Sequence, residues 1–334
     1  MLLAGDIGGT KTVLGIFSAD SGARRPLAEK AYHSADYASL EDIALSFLGE
    51  VKLPVETAVF GVAGPVIQRR AEITNLPWVM DEVHLAEALH VRRAYLLNDL
   101  DAIANAVPHL AEEDIRTLIP GVAVPGGAIA VIAPGTGLGE GFLTWDGNRY
   151  RSHPSEGGHA SFAPTDELQI GMLRYLMGKL GHVSCERVCS GIGIPNIYDY
   201  LRASGAGAEP AWLTEQLSVA VDPTPVIVNA GLDTARPCPL CQLTLDVFIA
   251  ILASEAGNLA LKVLATGGVF IGGGIPPRIL VRLVDNERFV EAFREKGRFS
   301  DVLSQVPVHV IMQPRAALVG AAVRGFVETL SRYE

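Results

Sequence analysis

The chain has 334 residues, 49% of them hydrophobic, and a formal net charge of −10. That length holds two domains with proper cores. The acidic balance argues against a nonspecific nucleic-acid binder, which needs a basic face.

The first element is the most informative. Leu2 to Ile16 reads as an apolar strand, a turn carrying Asp6, Gly8, Gly9 and Thr10, and a second apolar strand. Glycines let backbone N–H groups approach an anion closely. A carboxylate beside a phosphate cradle makes sense when a divalent metal sits between them. The turn therefore predicts nucleotide phosphate plus Mg²⁺, with Asp6 toward the metal. A tight Gly-Gly hairpin without a ligand is the competing reading, in a chain with 35 glycines. The spacing matches neither a P-loop nor a dinucleotide fingerprint.

Ala58 to Ala63 reads as a buried strand ending at the Gly64-Pro65 turn, and Ala94 to Leu97 as another ending at Asn98-Asp99. Asp99 to Val107 has helical spacing. Strand–helix alternation points to an α/β architecture, in which functional groups gather at the carboxyl ends of strands. Asn98 and Asp99 fall at such an end; both also suit a plain helix cap.

Ala128 to Leu143 repeats the opening pattern: apolar strand, Gly135-Thr136-Gly137 turn, apolar strand. Two such hairpins far apart predict two related lobes, each offering a turn to one shared cleft. Leu240 to Leu264 reads as a long apolar helix ended by Gly267-Gly268. Val269 to Ile271 then feeds Gly272-Gly273-Gly274 as a strand. Val308 to Met312 is a late strand. Arg315 to Leu330 reads as a helix whose Ala/Gly face packs back onto the first lobe. The expected division is 1–107 plus 316–334 as a small lobe and 108–315 as a large one.

The N-terminus lacks a basic n-region, and the uncharged run from Thr117 to Gly139 is broken by prolines and glycines, so no signal peptide or membrane span is expected. Cytoplasmic residence is the default. Cys185, Cys189, Cys238 and Cys241 differ in pair spacing and read as reduced, mostly buried thiols rather than a zinc site.

Several separated features ask for one explanation. Asn98-Asp99 pairs an amide with a carboxylate. Glu156 and His159 flank Gly157-Gly158, and Glu186 lies in Cys185-Glu186-Arg187-Val188-Cys189-Ser190-Gly191. Polyol recognition needs such converging donors and acceptors, because each hydroxyl gives and takes a hydrogen bond. Glu156-x-x-His159 also matches a di-iron ligand pair, but that needs a helix, which Gly157-Gly158 disfavours. Glu186 alone also suits a solvated helix position.

The residues in order closely resemble bacterial glucokinases of the hexokinase/actin-like superfamily, nearly end to end. The resemblance is carried by Gly5-Asp6-Ile7-Gly8-Gly9-Thr10, Gly61 to Pro65, Ile73-Thr74-Asn75-Leu76-Pro77-Trp78 and Leu97-Asn98-Asp99. It continues through Ala133 to Gly139, Ser155 to His159, Glu186 to Gly191, Gly272 to Ile275 and Lys296-Gly297-Arg298-Phe299. It implies two RNase H-like lobes with a cleft holding ATP, Mg²⁺ and sugar, and phosphorylation of glucose at the 6-hydroxyl to glucose 6-phosphate. By resemblance, Gly5, Asp6, Ile7, Gly8, Gly9 and Thr10 form the first phosphate element and Gly135, Thr136 and Gly137 the second. Gly272, Gly273 and Gly274 lie by the adenosine. Asn98, Asp99, Glu156, His159 and Glu186 hold the sugar, with Asp99 as catalytic base. Lys11 after Gly-Gly-Thr is typical of the related ROK sugar kinases, whose Cys-rich zinc run is absent here.

An alkoxide is inaccessible at neutral pH, so the base takes the proton as the O–P bond forms, a contribution of roughly 10²–10⁴-fold. Lobe closure on the sugar excludes competing water. A ROK-type kinase of another hexose or amino sugar is the alternative, and a homodimer is the family expectation. A sugar-sensing repressor is a rival of another class, but its DNA-binding module has no room before a hairpin that starts at once. An actin-like ATPase, which needs no sugar, is the third.

Overall fold

The computed structural model describes residues 1–73 and 76–330; Thr74 and Asn75 of the Ile73–Trp78 motif lie outside them. The chain divides into two compact units. One comprises Met1–Asp114, Asn148–Pro154 and the segment from Gln313 onward; the other comprises Ile115–Gly147 and Ser155–Met312.

The first unit is built on β1 (Leu2–Ile7), β2 (Lys11–Phe17), β3 (Ala28–His33) and β4 (Thr57–Val62). A small antiparallel sheet follows, from β5 (Val66–Ile67), β6 (Arg70–Glu72) and β7 (Val79–Asp81), and then β8 (Arg93–Asn98). The main sheet has the order β3-β2-β1-β4-β8, with β1, β4 and β8 parallel and β2 antiparallel to both of its neighbours, β1 and β3. Successive strand residues face opposite sides, and here both sides are covered, which is why β4 reads as an apolar run from Ala58 and β1 as one interrupted only near its carboxyl end by Asp6. Leu3, Ile7, Leu14 and Phe60 pack with Ile43 and Phe47 of the helix Leu40–Val51. Leu2, Ala4, Val59 and Leu97 pack with Leu318, Ala321 and Ala322 of the C-terminal helix Ala316–Leu330. That helix approaches closely through its small residues, as its Ala/Gly face predicts. A Cβ at Gly320 would overlap the Ala102 carbonyl, and one at Gly325 the Leu2 side chain.

In the second unit come β9 (Ile115–Ile119), β10 (Ile129–Pro134) and β11 (Leu138–Trp145). After β12 (Tyr150–Ser155), most of which falls in the first unit, follow β13 (Gly268–Ile271) and β14 (Val308–Ile311). The sheet of the second unit runs β11-β10-β13-β14-β9, with β10, β13 and β14 parallel. The duplication suggested by the two hairpins is thus a topological fact. The run β2-β1-β4-β8 and the run β11-β10-β13-β14 have the same strand order and the same directions.

The core of the second unit is organised by the helix Pro239–Val263, sixteen of whose residues are buried. It is long and apolar enough to cross a membrane, but its apolar surface is taken up by this core. It stops earlier than Gly267-Gly268 suggests. Leu264 adopts a left-handed conformation (φ 50°) and its N–H reaches the Ala260 and Leu261 carbonyls. The glycines instead serve the entry to β13, where a Cβ on Gly267 would strike the Gly127 carbonyl. All four cysteines are buried free thiols, as expected. Cys238 caps the long helix and Cys241 lies within its first turn.

Candidate active site

In the first unit the site residues lie at the carboxyl ends of β1 and β8. Asp6 sits near the end of β1, registered against Gly61 of β4, which in turn faces Leu97 of β8. A Cβ on Gly61 would press on Ala102, so this glycine lets the helix Asp99–Ala106 lie directly over the strands. Asn98 caps that helix. Its Oδ1 accepts the Leu100 N–H at 2.9 Å, and its Nδ2 donates to the Gly64 carbonyl at 3.0 Å. Asp99 Oδ1 accepts the same Leu100 N–H at 2.8 Å. The capping reading of Asn98 is therefore realised, and it aims the next carboxylate at the helix N-terminus, where negative charge is favoured. Asp6 and Asp99 sense each other. Burial, then the Asp99 charge, raise the Asp6 pKa to about 6, with Lys11 opposing.

The first turn is braced by a residue that no sequence motif marks. Ser34, fully buried, donates its hydroxyl to the Gly8 carbonyl at 2.7 Å, and its N–H meets the Thr10 carbonyl at 3.0 Å. Thr12 Oγ1 lies 3.0 Å from the Ser34 hydroxyl. No spacing rule links Ser34 to a turn more than twenty residues earlier; only the β2–β3 pairing does. Gly5 and Ile7 lie inside the sheet core. A Cβ at position 5 would overlap Phe60 and Leu14, and Ile7 is fully buried. The turn itself presents Gly8, Gly9 and exposed Thr10.

The second unit collects the remaining candidates. The Gly135 N–H bonds to the Gly137 carbonyl at 2.8 Å, closing the second turn. The Gly191 N–H bonds to the Gly135 carbonyl at 2.8 Å, and the Leu138 N–H to Glu186 Oε2 at 3.1 Å. A side chain at Gly137 would displace the Glu186 carboxylate. Glu186 is thus not merely a solvated helix residue; it lies in the single 3₁₀ turn Cys185–Arg187, locked to the glycine turn. Gly272 to Gly274 leave β13 beside the end of β10, with the Gly272 N–H on the Ile132 carbonyl at 2.8 Å. Gly273 (φ 83°) passes so near Pro134 that only glycine fits.

Glu156 and His159 are exposed, with His159 Nε2 3.7 Å from Glu156 Oε2. Residues Gly157–His159 form one 3₁₀ turn and no longer helix, consistent with the two glycines. The strap that follows is zipped to the Glu186 turn. The Cys185 N–H meets the Ala160 carbonyl at 2.9 Å, and the Phe162 N–H meets the Val183 carbonyl at 2.9 Å. The structure therefore brings Gly135–Gly137, Glu186, Glu156 and His159 into one connected set of turns.

A family model described as Glucokinase matches residues 3–326. A glucokinase of Nostoc punctiforme is 41% identical over 337 aligned positions, covering 97% of this chain and 98% of that protein. The crystal structure of a glucokinase from an Antarctic psychrotroph superposes with a TM-score of 0.83 at 33% identity, covering 98% of both chains. A ROK-family glucokinase of Streptomyces griseus, solved with glucose and AMPPNP, shares the fold at 18% identity, with a TM-score of 0.61 and coverage of 98% and 99%.

Proposed function

This chain belongs to the glucokinase family and is a hexose kinase, and we propose that Asp99 is the base that receives the 6-hydroxyl proton of glucose as ATP donates its γ-phosphoryl group. The observation that carries this reading is the placement of Asp99. It opens a helix behind an Asn98 cap, at the end of a parallel strand, close enough to Asp6 for the two charges to interact.

On this reading Asn98, Asp99, Glu156, His159 and Glu186 hold the sugar hydroxyls. The turns at Gly8–Thr10 and Gly135–Gly137 cradle the phosphates with backbone other than the Gly8 and Gly135 N–H groups, which close the turns on the Lys11 and Gly137 carbonyls, and Gly272–Gly274 lies by the adenosine. Phosphoryl transfer asks little covalent chemistry of the protein; positioning and charge neutralisation supply the rate. Asp99 accepts the proton only as the new O–P bond forms, since a free alkoxide is inaccessible at neutral pH.

The residues present suit Mg²⁺. Asp6 is a hard oxygen donor beside a phosphate turn, and its ionisation is resisted by burial and by Asp99, a strain that a cation relieves. Asp6 would hold the ion, which when bound offsets phosphate charge. Glucose as the preferred hexose and ATP as the donor follow from the family. A homodimer resident in the cytoplasm is the accompanying expectation.

The test is a coupled assay across glucose, mannose, glucosamine and fructose, with ATP, ADP and polyphosphate as donors and Mg²⁺ omitted as control. Glucose with ATP and Mg²⁺ gives the highest kcat/KM. A clear preference for another hexose or donor overturns that assignment.

A further inference from the structure

Behind the strap and the Glu186 turn, the second unit holds a polar cluster around one buried carboxylate that the proposed reaction does not use, with Lys262 exposed at its edge. Its hub is Glu255 on the helix Pro239–Val263, only 5% exposed. Glu255 Oε1 accepts from Lys262 Nζ at 3.1 Å. Its Oε2 accepts from Asn258 Nδ2 at 2.8 Å and from the Cys185 thiol at 3.4 Å. One residue earlier, the Ser254 hydroxyl accepts from Lys296 Nζ at 2.9 Å. Lys296 belongs to the Lys296–Phe299 motif, to which the sequence assigns no role. Gly257 leaves room for it: a Cβ there would strike the Phe293 carbonyl and crowd the Lys296 side chain. Glu140, 1% exposed, lies against the turn Gly157–His159, where a side chain at Gly157 would overlap its carboxylate, and is close enough to Glu255 for their charges to interact.

Such a cluster is a poor device for stability alone. Burying the Glu255 carboxylate costs desolvation, and an ion pair whose lysine stays in water returns little of it. What it does provide is fixed geometry at one place. Cys185 is the point where the long helix meets the Glu186 turn. Its thiol is held by Glu255, its N–H by Ala160, and its successor is Glu186, whose carboxylate holds the Leu138 N–H.

We propose that Glu255 is a positioning residue for sugar binding: through Cys185 it fixes the turn Cys185–Arg187 and so sets the Glu186 carboxylate against the second glycine turn. The proposal rests on the reading of Glu186 as a sugar ligand. Lys262 and Asn258 hold Glu255 still; Glu255 in turn keeps the thiol, and the backbone that follows it, from drifting.

The experiment compares Glu255→Ala, Cys185→Ala, Glu186→Ala and the doubles Glu255→Ala/Glu186→Ala and Cys185→Ala/Glu186→Ala. KM for glucose and thermal midpoints are measured on each full-length protein. Glu255→Ala removes the acceptor of the Cys185 thiol and Cys185→Ala removes the donor; each raises KM for glucose by about threefold to about tenfold, the range a single lost hydrogen bond covers. In the Glu186→Ala background neither raises it further, whereas their effects on the midpoint persist, because only the kinetic effect passes through Glu186. Additive effects on KM, or lower midpoints with KM unchanged, overturn the positioning role. Should Glu255→Ala fail to fold, Cys185→Ala and its double still decide the matter, since they break the link and leave the ion pair. A Glu186→Ala protein with unchanged KM removes Glu186 from the sugar site and the proposal with it. A raised KM there with no response to Glu255→Ala or Cys185→Ala removes the proposal alone.

Discussion

Glu186 Oε2 accepts the backbone N–H of Leu138 at 3.1 Å, which ties the proposed sugar ligand to the strand that leaves the second glycine turn. On the proposed reading one carboxylate has two tasks, and they separate by substitution. Glu186→Ala removes both the sugar contact and the acceptor for Leu138. A hydrogen bond to a charged group contributes about 1.5–3 kcal/mol, so kcat/KM for glucose falls by roughly tenfold to a hundredfold, and KM for ATP rises as well. Glu186→Gln keeps an acceptor for Leu138, so KM for ATP stays near wild type while glucose binding still weakens. Initial-rate kinetics with each substrate varied decide it. Wild-type ATP affinity in the alanine variant refutes the link.

Asp99 carries the chemistry in the proposed reaction, and its loss should be seen in turnover rather than in binding. Asp99→Asn retains an acceptor for the Leu100 N–H, so the helix start survives. It cannot take a proton. We expect kcat to fall by roughly 10²–10⁴-fold, with the glucose dissociation constant, measured calorimetrically, changed far less. Near-normal turnover would falsify the base assignment.

How much of this is legible in the sequence differs between the two units. β4, β8 and the helix at Asp99 are announced by apolar runs ending in Gly64-Pro65 and Asn98-Asp99, so their ends are marked by local chemistry. The long helix is visible too, but Gly267-Gly268 is a misleading marker of its end. The real stop is a leucine in a left-handed conformation, which costs about 1–2 kcal/mol and leaves no compositional mark. Ser34 and Glu255 are illegible for another reason. Ser34 reaches Gly8 and Glu255 reaches Cys185 through tertiary pairing, so neither has a local pattern. Glu140 stands where β11 demands a buried residue, and a glutamate in that register is the one available signal.

The Asp6–Asp99 pair predicts a pH-dependent response to Mg²⁺. Folding raises the Asp6 pKa from 3.8 to about 6. Its favourable contribution is therefore full below pH 3.8 and is lost as pH rises through about 6. Above that pH the native protein carries two neighbouring carboxylates, and a bound cation offsets their repulsion. Mg²⁺ added to the nucleotide-free protein should raise the thermal midpoint more at about pH 7.5 than at about pH 5, on either side of that transition. Asp6→Asn should abolish the difference. An equal rise at both pH values, or a rise that persists in Asp6→Asn, places the metal elsewhere.

Glu140 offers a stability prediction independent of the reaction. It is 1% exposed, and its Oε1 has no hydrogen-bond partner among the described residues. Burial, then the charge of Glu255, raise its pKa from 4.5 to about 7, with Lys262 opposing. A raised pKa in the folded state means that its stabilising contribution is complete below pH 4.5. It drains away as pH climbs through about 7, on the order of 3 kcal/mol in all. Glu140→Gln keeps the volume and removes the titration. Denaturant unfolding in steps from about pH 5 to about pH 8 should show the variant gaining on wild type as pH rises, with the largest gap at the alkaline end. A constant gap across the series means that Glu140 is ionised throughout, already paired in the folded protein.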